Sequence, residues 1–112
     1  MLDKEETMPT SGISQKDKRK LKALAHHIDP CVQIGRSGVS AGVLAMINQA
    51  LDNHELIKVQ MLEASELDRK VAPAEIATAV KAELIQVIGF KFALYRFSKD
   101  AKQHVLLDDE ET

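Results

Sequence analysis

Val32-Gln33-Ile34-Gly35-Arg36-Ser37-Gly38-Val39-Ser40 joins a short apolar alternation to two glycines three apart, and then to a serine that opens a helical pattern. Val32 and Ile34 share one side of an extended chain and Gln33 takes the other, the period of two expected of a strand with one face buried. Pro30 before the run and Gly35 after it keep that strand brief. Beyond the glycines, Val43, Leu44, Ile47, Ala50 and Leu51 recur at helical spacing, so a helix is expected from about residue 40 to 52. A strand feeding a helix through a tight loop is one half of an α/β unit, and this decides the fold class.

The rest of the chain extends the same alternation. Upstream, Ser14 is a good N-cap with Asp17 three residues later, and Leu21, Leu24, Ala25 and Ile28 form one apolar stripe. Asp29-Pro30 is expected to end that helix, because the residue before proline disfavours helical geometry. Downstream, Ile57, Val59 and Met61 alternate with Lys58 and Gln60, which reads as a half-buried strand over 56–62. Residues 63–70 are polar, a loop or a helix start. Pro73 fits a first helical turn, and Ile76, Ala77, Val80 and Leu84 continue an apolar face. Two last strands, 85–88 and 92–97, flank Gly89-Phe90-Lys91, a hairpin signal. The order is α-β-α-β-α-β-β: a single compact α/β domain with helices packed on a four-stranded mixed sheet. There is no internal repeat, low-complexity tract or interior linker.

The chain has 112 residues, a length suited to one domain with one core. One cysteine excludes an internal disulfide framework and fits a reducing, cytoplasmic setting. No apolar run approaches the roughly 20 residues of a membrane span, and the polar first residues do not read as a secretory signal. The formal net charge of −2 taken whole counts against nucleic acid. Its distribution reverses that. Residues 1–13 carry −2 and residues 103–112 carry −4, which leaves +4 on residues 14–102. Both ends are expected to be flexible acidic tails around a domain at 14–102. Within that domain Lys16, Lys18, Arg19, Lys20 and Lys22 crowd one helix with only Asp17 as counterweight.

Gly35-Arg36-Ser37-Gly38 suits a phosphate chemically: glycines admit a close approach, a helix N-terminus follows, Arg36 supplies a planar fork and Ser37 a hydroxyl. Standing alone, such a tetrapeptide is more often a tight turn with an exposed arginine. The same pattern clamps the nucleic-acid backbone in KH domains. The basic helix, likewise, is by itself as much a solubilising face as a binding one. Phe90, Phe92, Tyr95 and Phe97 fall within eight residues and are expected to pack the core or the hairpin, which disfavours base stacking on sheet aromatics. Catalysis finds no support. His26, His27, His54 and His104 lack zinc spacing with Cys31, Cys31 reads as a small buried hydrophobe, and no nucleotide-binding or hydrolase fingerprint is present. His54-Glu55 is assigned capping and turn roles. No catalytic residue, metal or cofactor is expected.

Four blocks resemble the CRM domain (chloroplast RNA splicing and ribosome maturation). They are 21–26 (LKALAH), 32–39 (VQIGRSGV), 54–59 (HELIKV), and 86–89 (QVIG) with 94–96 (LYR). In that order they span about residues 14–99, and the chain is most similar to bacterial members that stand alone. The resemblance implies a fold similar to the C-terminal domain of a bacterial translation initiation factor. It also implies RNA binding without catalysis, with ribosomal RNA in precursors of the large subunit as the partner. The family's loop maps onto Gly35, Arg36, Ser37 and Gly38, with Arg36 where lysine is common. Its basic helix surface maps onto Lys16, Lys18, Arg19, Lys20 and Lys22. Phe90-Lys91-Phe92 departs from the family's usual basic–Thr–Leu. The expectation is therefore a monomeric ribosome assembly factor that touches no membrane, the alternative being a protein-interaction module with incidental RNA affinity.

Overall fold

A computed structural model describes residues 13–106. Its elements are α1 (Gln15–Ala25), β1 (Val32–Ile34), α2 (Ala41–His54), β2 (Leu56–Met61), a 3-10 turn (Glu63–Ser65), α3 (Ala72–Ala79), β3 (Glu83–Ile88) and β4 (Lys91–Tyr95). The strands form one sheet in the order β1-β2-β4-β3. β1 runs parallel to β2, while β4 is antiparallel to both of its neighbours. The sequence reading of element order and of a mixed four-stranded sheet matches this arrangement.

Side-chain alternation splits the sheet into two faces. Val32, Ile34, Ile57, Val59, Met61, Phe92 and Leu94 point to one side and meet Ile47 and Leu51 of α2 and Ile76 and Ala77 of α3. Leu56, Ile85, Ala93 and Tyr95 point to the other and meet Leu21 and Ala25 of α1. Two helices therefore cover one face and α1 alone partly covers the other. A buried leucine contributes about 2 kcal/mol, so the small α1 seam leans heavily on Leu21. Tyr95 lies in this seam. Burial foremost, and then the nearby negative charges of Glu55 and Asp17, push its phenol pKa up to about 12.

Several boundaries differ from the sequence reading, each for a local reason. α1 stops at Ala25 rather than Asp29. His27 and Ile28 bond back three residues instead of four, to Leu24 and Ala25, which tightens the chain into turns before Pro30. α3 ends at Ala79, because Lys81 takes a left-handed φ of 57° and turns the chain into β3. Leu84 therefore belongs to a strand and not to the helix's apolar face. The hairpin turn is two residues, Gly89-Phe90, with Gly89 at φ 61° as the first position of such turns favours. β4 closes at Tyr95, so Phe97 lies beyond it and is exposed; Phe90 is exposed too, and only Phe92 and Tyr95 of the four aromatics enter the core.

Cys31 is also corrected. It precedes β1, and alternation from the inward Val32 turns it away from the main core, so it is exposed. Packing extends past the expected 14–102 domain, since Ile13, Val105 and Leu106 all rest on the α1 seam. Expectations for 1–12 and 107–112 lie outside the described residues.

Two polar knots close the fold. Arg96 donates to the Val80 carbonyl (2.7 Å), to Asn48 Oδ1 (2.8 Å), to the Asn48 carbonyl (3.2 Å) and to Asp52 (2.8 Å). Glu55, at the end of α2, accepts the N–H groups of Ser98 (2.8 Å) and Val105 (3.0 Å), and Nδ1 of His104 lies 2.7 Å away. Its reading as a turn residue misses that role, which depends on partners more than 40 positions away.

Candidate nucleic-acid interface

The loop at 35–38 closes on itself: the N–H of Gly38 donates to the Gly35 carbonyl at 2.9 Å. Gly38 adopts φ 69°, a backbone conformation that glycine takes at little cost. A Cβ there would meet nothing within 4 Å, and one at Gly35 would meet only the Leu62 side chain at 3.9 Å. The surface over both glycines is thus open. Arg36 and Ser37 are exposed, and no ion pair with another described residue holds Arg36. Ser40 caps α2, its hydroxyl accepting the N–H of Val43 at 3.2 Å, so one of the helix's first N–H groups is already spent.

The basic helix lies elsewhere. Lys16, Arg19 and Lys22 are exposed, and Lys18 and Lys20 are half-buried. Burial pushes the Glu83 carboxyl pKa up, opposed by the positive charge of Lys18, which places Lys18 beside the start of β3. Leu56, Tyr95 and Glu83 pair across one end of the sheet, while the row of Gln60, Lys91 and Ile88 lies towards the other, where Ile34 leads into the loop. The first turns of α1 and the loop therefore sit at opposite ends of the sheet.

Residues that the sequence reading passed over fill the interval. On the α1 side of the sheet, past the end of that helix, one row runs Gln33, Gln60, Lys91, Ile88 and the next runs Lys58, Ala93, Gln86. Gln33 and Gln60 bond side chain to side chain at 3.3 Å. His26, the C-cap of α1, borders the same area. Four-residue spacing puts Lys18, Lys22 and His26 on one stripe of the chain entering this area. Neither row contains a carboxylate. The usable signal in the sequence was the polar side of β2, Lys58 and Gln60, which reads there as mere solvent exposure. Arg69 adds a further cation near this end, 5.2 Å from the Phe90 ring centroid.

Arg96 is different. Although it stands in a block resembling the family, its guanidinium is consumed by the clamp on α2 and Val80. Among the described residues, no group of three or more His, Cys, Asp or Glu is placed to hold a metal ion, and no helix is long and apolar enough to cross a membrane. Loss of solvent around the Cys31 sulfur raises its thiol pKa, which works against a nucleophilic role.

The family model described as the CRS1 / YhbY (CRM) domain matches residues 13–96. The chain belongs to the CRM domain family. An RNA-binding protein of Haemophilus influenzae is 43% identical over 90 residues, covering 80% of this chain and 91% of that one. A Bacillus subtilis protein named as a probable RNA-binding protein, YqeI, is 36% identical over 91 residues, 81% of this chain and 95% of its own. Among solved structures, a Staphylococcus aureus protein described as a candidate RNA binder matches with a TM-score of 0.57 at 36% identity. That match covers 78% of this chain and 91% of that chain. The CRM assignment and the α/β architecture expected from the four sequence blocks are both supported by these matches.

Proposed function

We propose that this CRM protein binds structured RNA without catalysing a reaction on it, as a monomeric cytoplasmic factor that engages ribosomal RNA in precursors of the large subunit. The observation that carries the reading is the run of cationic, amide and imidazole side chains from Arg36 through Lys91 and Lys58 to His26 and Lys22, uninterrupted by a carboxylate on the sheet. Such a run suits a polyanion whose charge repeats along its length. The relatives named for RNA binding support the same class of ligand, and the family resemblance supplies the ribosomal context. Arg36 grips phosphate over the open loop, and the exposed cations of α1 extend the grip.

A ribosomal RNA fragment titrated at several salt concentrations tests it. Affinity falls steeply with salt, because phosphate contacts release counterions. Arg36→Glu, and separately Lys16, Arg19 and Lys22 changed together to Glu, weaken binding while the protein stays folded. Full affinity in both folded variants would remove this surface from the binding site. Co-sedimentation with ribosomal precursors that survives nuclease treatment would point to a protein partner instead.

A further inference from the structure

We propose that the part of the sheet left bare beside α1 is a subsite for a single unpaired RNA nucleotide. Its base rests on Ile88, and its neighbouring phosphates are held by Lys58, Lys91 and His26. The proposal rests on the RNA reading above and adds to it the kind of RNA recognised.

The geometry is that of a groove of about 240 Å³ between the end of α1 and strands β2, β4 and β3. Its phosphate-facing groups come from three elements: the His26 imidazole from α1, and the Lys58 and Lys91 ammonium groups from β2 and β4. Lys58 pairs with Ala93 and Lys91 with Gln60, so the two lysines sit diagonally on adjacent strands, within reach of neighbouring phosphates. Among the described residues no aspartate or glutamate lines the groove. The floor is apolar at Ile88, which is 55% exposed, and the buried Ala93 in the adjacent row is too small to cover it. Gln86 on the same row as Ala93 offers both a donor and an acceptor to a base edge.

Size decides between forms of RNA. A duplex is read by its shape across a broad surface, and its bases are not available to a groove this small. A base splayed out of a loop or bulge is. The row Gln33, Gln60, Lys91 directly precedes the Gly35–Gly38 loop, and β4 lies two strand spacings, about 10 Å, from β1. A strand whose phosphate sits at Arg36 therefore passes next over this groove.

Fluorescence anisotropy with two labelled probes tests the proposal: a short unstructured oligoribonucleotide and a blunt RNA duplex of the same length. Lys58→Gln with Lys91→Gln weakens the single strand about tenfold and lowers the steepness of its salt dependence by about 1.4, as two lost phosphate contacts require, and weakens the duplex markedly less than the single strand. Ile88→Ser, a change at a half-exposed position, weakens the single strand with no change in salt dependence, and carries the test should the lysine pair fail to fold. Arg36→Gln weakens both probes. Equal loss on both probes in the groove variants, or no loss on either, overturns the subsite while leaving RNA binding in place. A native protein that binds neither probe overturns the subsite and the RNA reading together.

Discussion

The carboxylate of Glu55, with no solvent exposure, lies 2.7 Å from Nδ1 of His104. Two further N–H groups, from Ser98 and Val105, donate to the same side chain. A carboxylate has only acceptors to offer, so Nδ1 is the donor here. Three donors converging on one buried carboxylate satisfy it as water would, and every one of them comes from the chain after β4. His104 is held a second time by its stack on Phe97, with ring centroids 4.9 Å apart and planes 19° from parallel. This is what brings Val105 and Leu106 onto the α1 seam.

Glu55→Gln replaces one acceptor oxygen by an amide that is itself a donor, facing donors already in place. A hydrogen bond to a charged group is worth roughly 1.5–3 kcal/mol, so the variant is expected to lose about 2–3 kcal/mol of stability to urea. The amides of Ser98 and Val105 should exchange with solvent far faster, while those of β2 keep their relative protection. Unaltered exchange at both amides would show that the carboxylate is not what fastens the segment.

Tyr95 gives the pH dependence. It is the one tyrosine of a chain with no tryptophan, so tyrosinate absorbance in the near ultraviolet reports it alone. A phenol whose folded pKa, about 12, stands above the ordinary 10 adds stability that is complete below pH 10 and is lost as the pH rises towards 12. Folded protein should show no tyrosinate transition near pH 10, and thermal stability should fall across pH 10–12. A transition centred near 10 in protein shown to be folded at that pH would mean that α1 does not cover the ring.

Sequence periodicity was most informative where a local pattern coincided with a tertiary face. Val32 and Ile34, or Ile57, Val59 and Met61, alternate because one side of their strand is buried, so both strands and their inward faces could be read directly. The reading failed where long-range contacts decide. Leu84 continued a helical stripe by spacing, yet the left-handed Lys81 had already ended α3. Glu55 looked like punctuation between elements because its partners lie more than 40 residues on. Arg36, the one cation of the loop, stood out as a candidate because GxxG is a contiguous motif. Lys58 and Lys91 did not, since they become neighbours only through the antiparallel register of β2 and β4.

The two loop glycines should respond differently to alanine. Gly38 sits at φ 69° with empty space around it, so Gly38→Ala meets no clash but pays for a left-handed backbone, about 1 kcal/mol. Gly35 is not at positive φ, and its new Cβ would be in ordinary contact with Leu62 at 3.9 Å. Gly35→Ala is therefore expected to leave stability within about 0.5 kcal/mol of the native protein or to raise it slightly. Equal losses in thermal melts of the two variants would contradict the conformational distinction drawn between them.

Arg36 and Arg96 make a final contrast, because among the described residues the same side chain is without a partner in one place and fully used in the other. Arg36 is exposed and takes part in no such clamp among the described residues, so Arg36→Ala leaves the fold alone and, if the proposed function holds, removes a phosphate contact. Its melting temperature should be unchanged and its RNA affinity reduced, with the salt dependence flattened by about one contact. Arg96→Ala does the reverse. It strands the Val80 carbonyl and Asn48 in a half-buried site, and unsatisfied partners of this kind cost about 1–3 kcal/mol each. The ion pair with Asp52 adds little to that loss, since Asp52 is half exposed and solvent screens it. Arg96→Ala should thus lower stability by about 2–4 kcal/mol, measured in urea, and the fraction still folded should bind RNA with native affinity. A folded Arg96→Ala protein with lost affinity would move that guanidinium from the clamp to the binding surface.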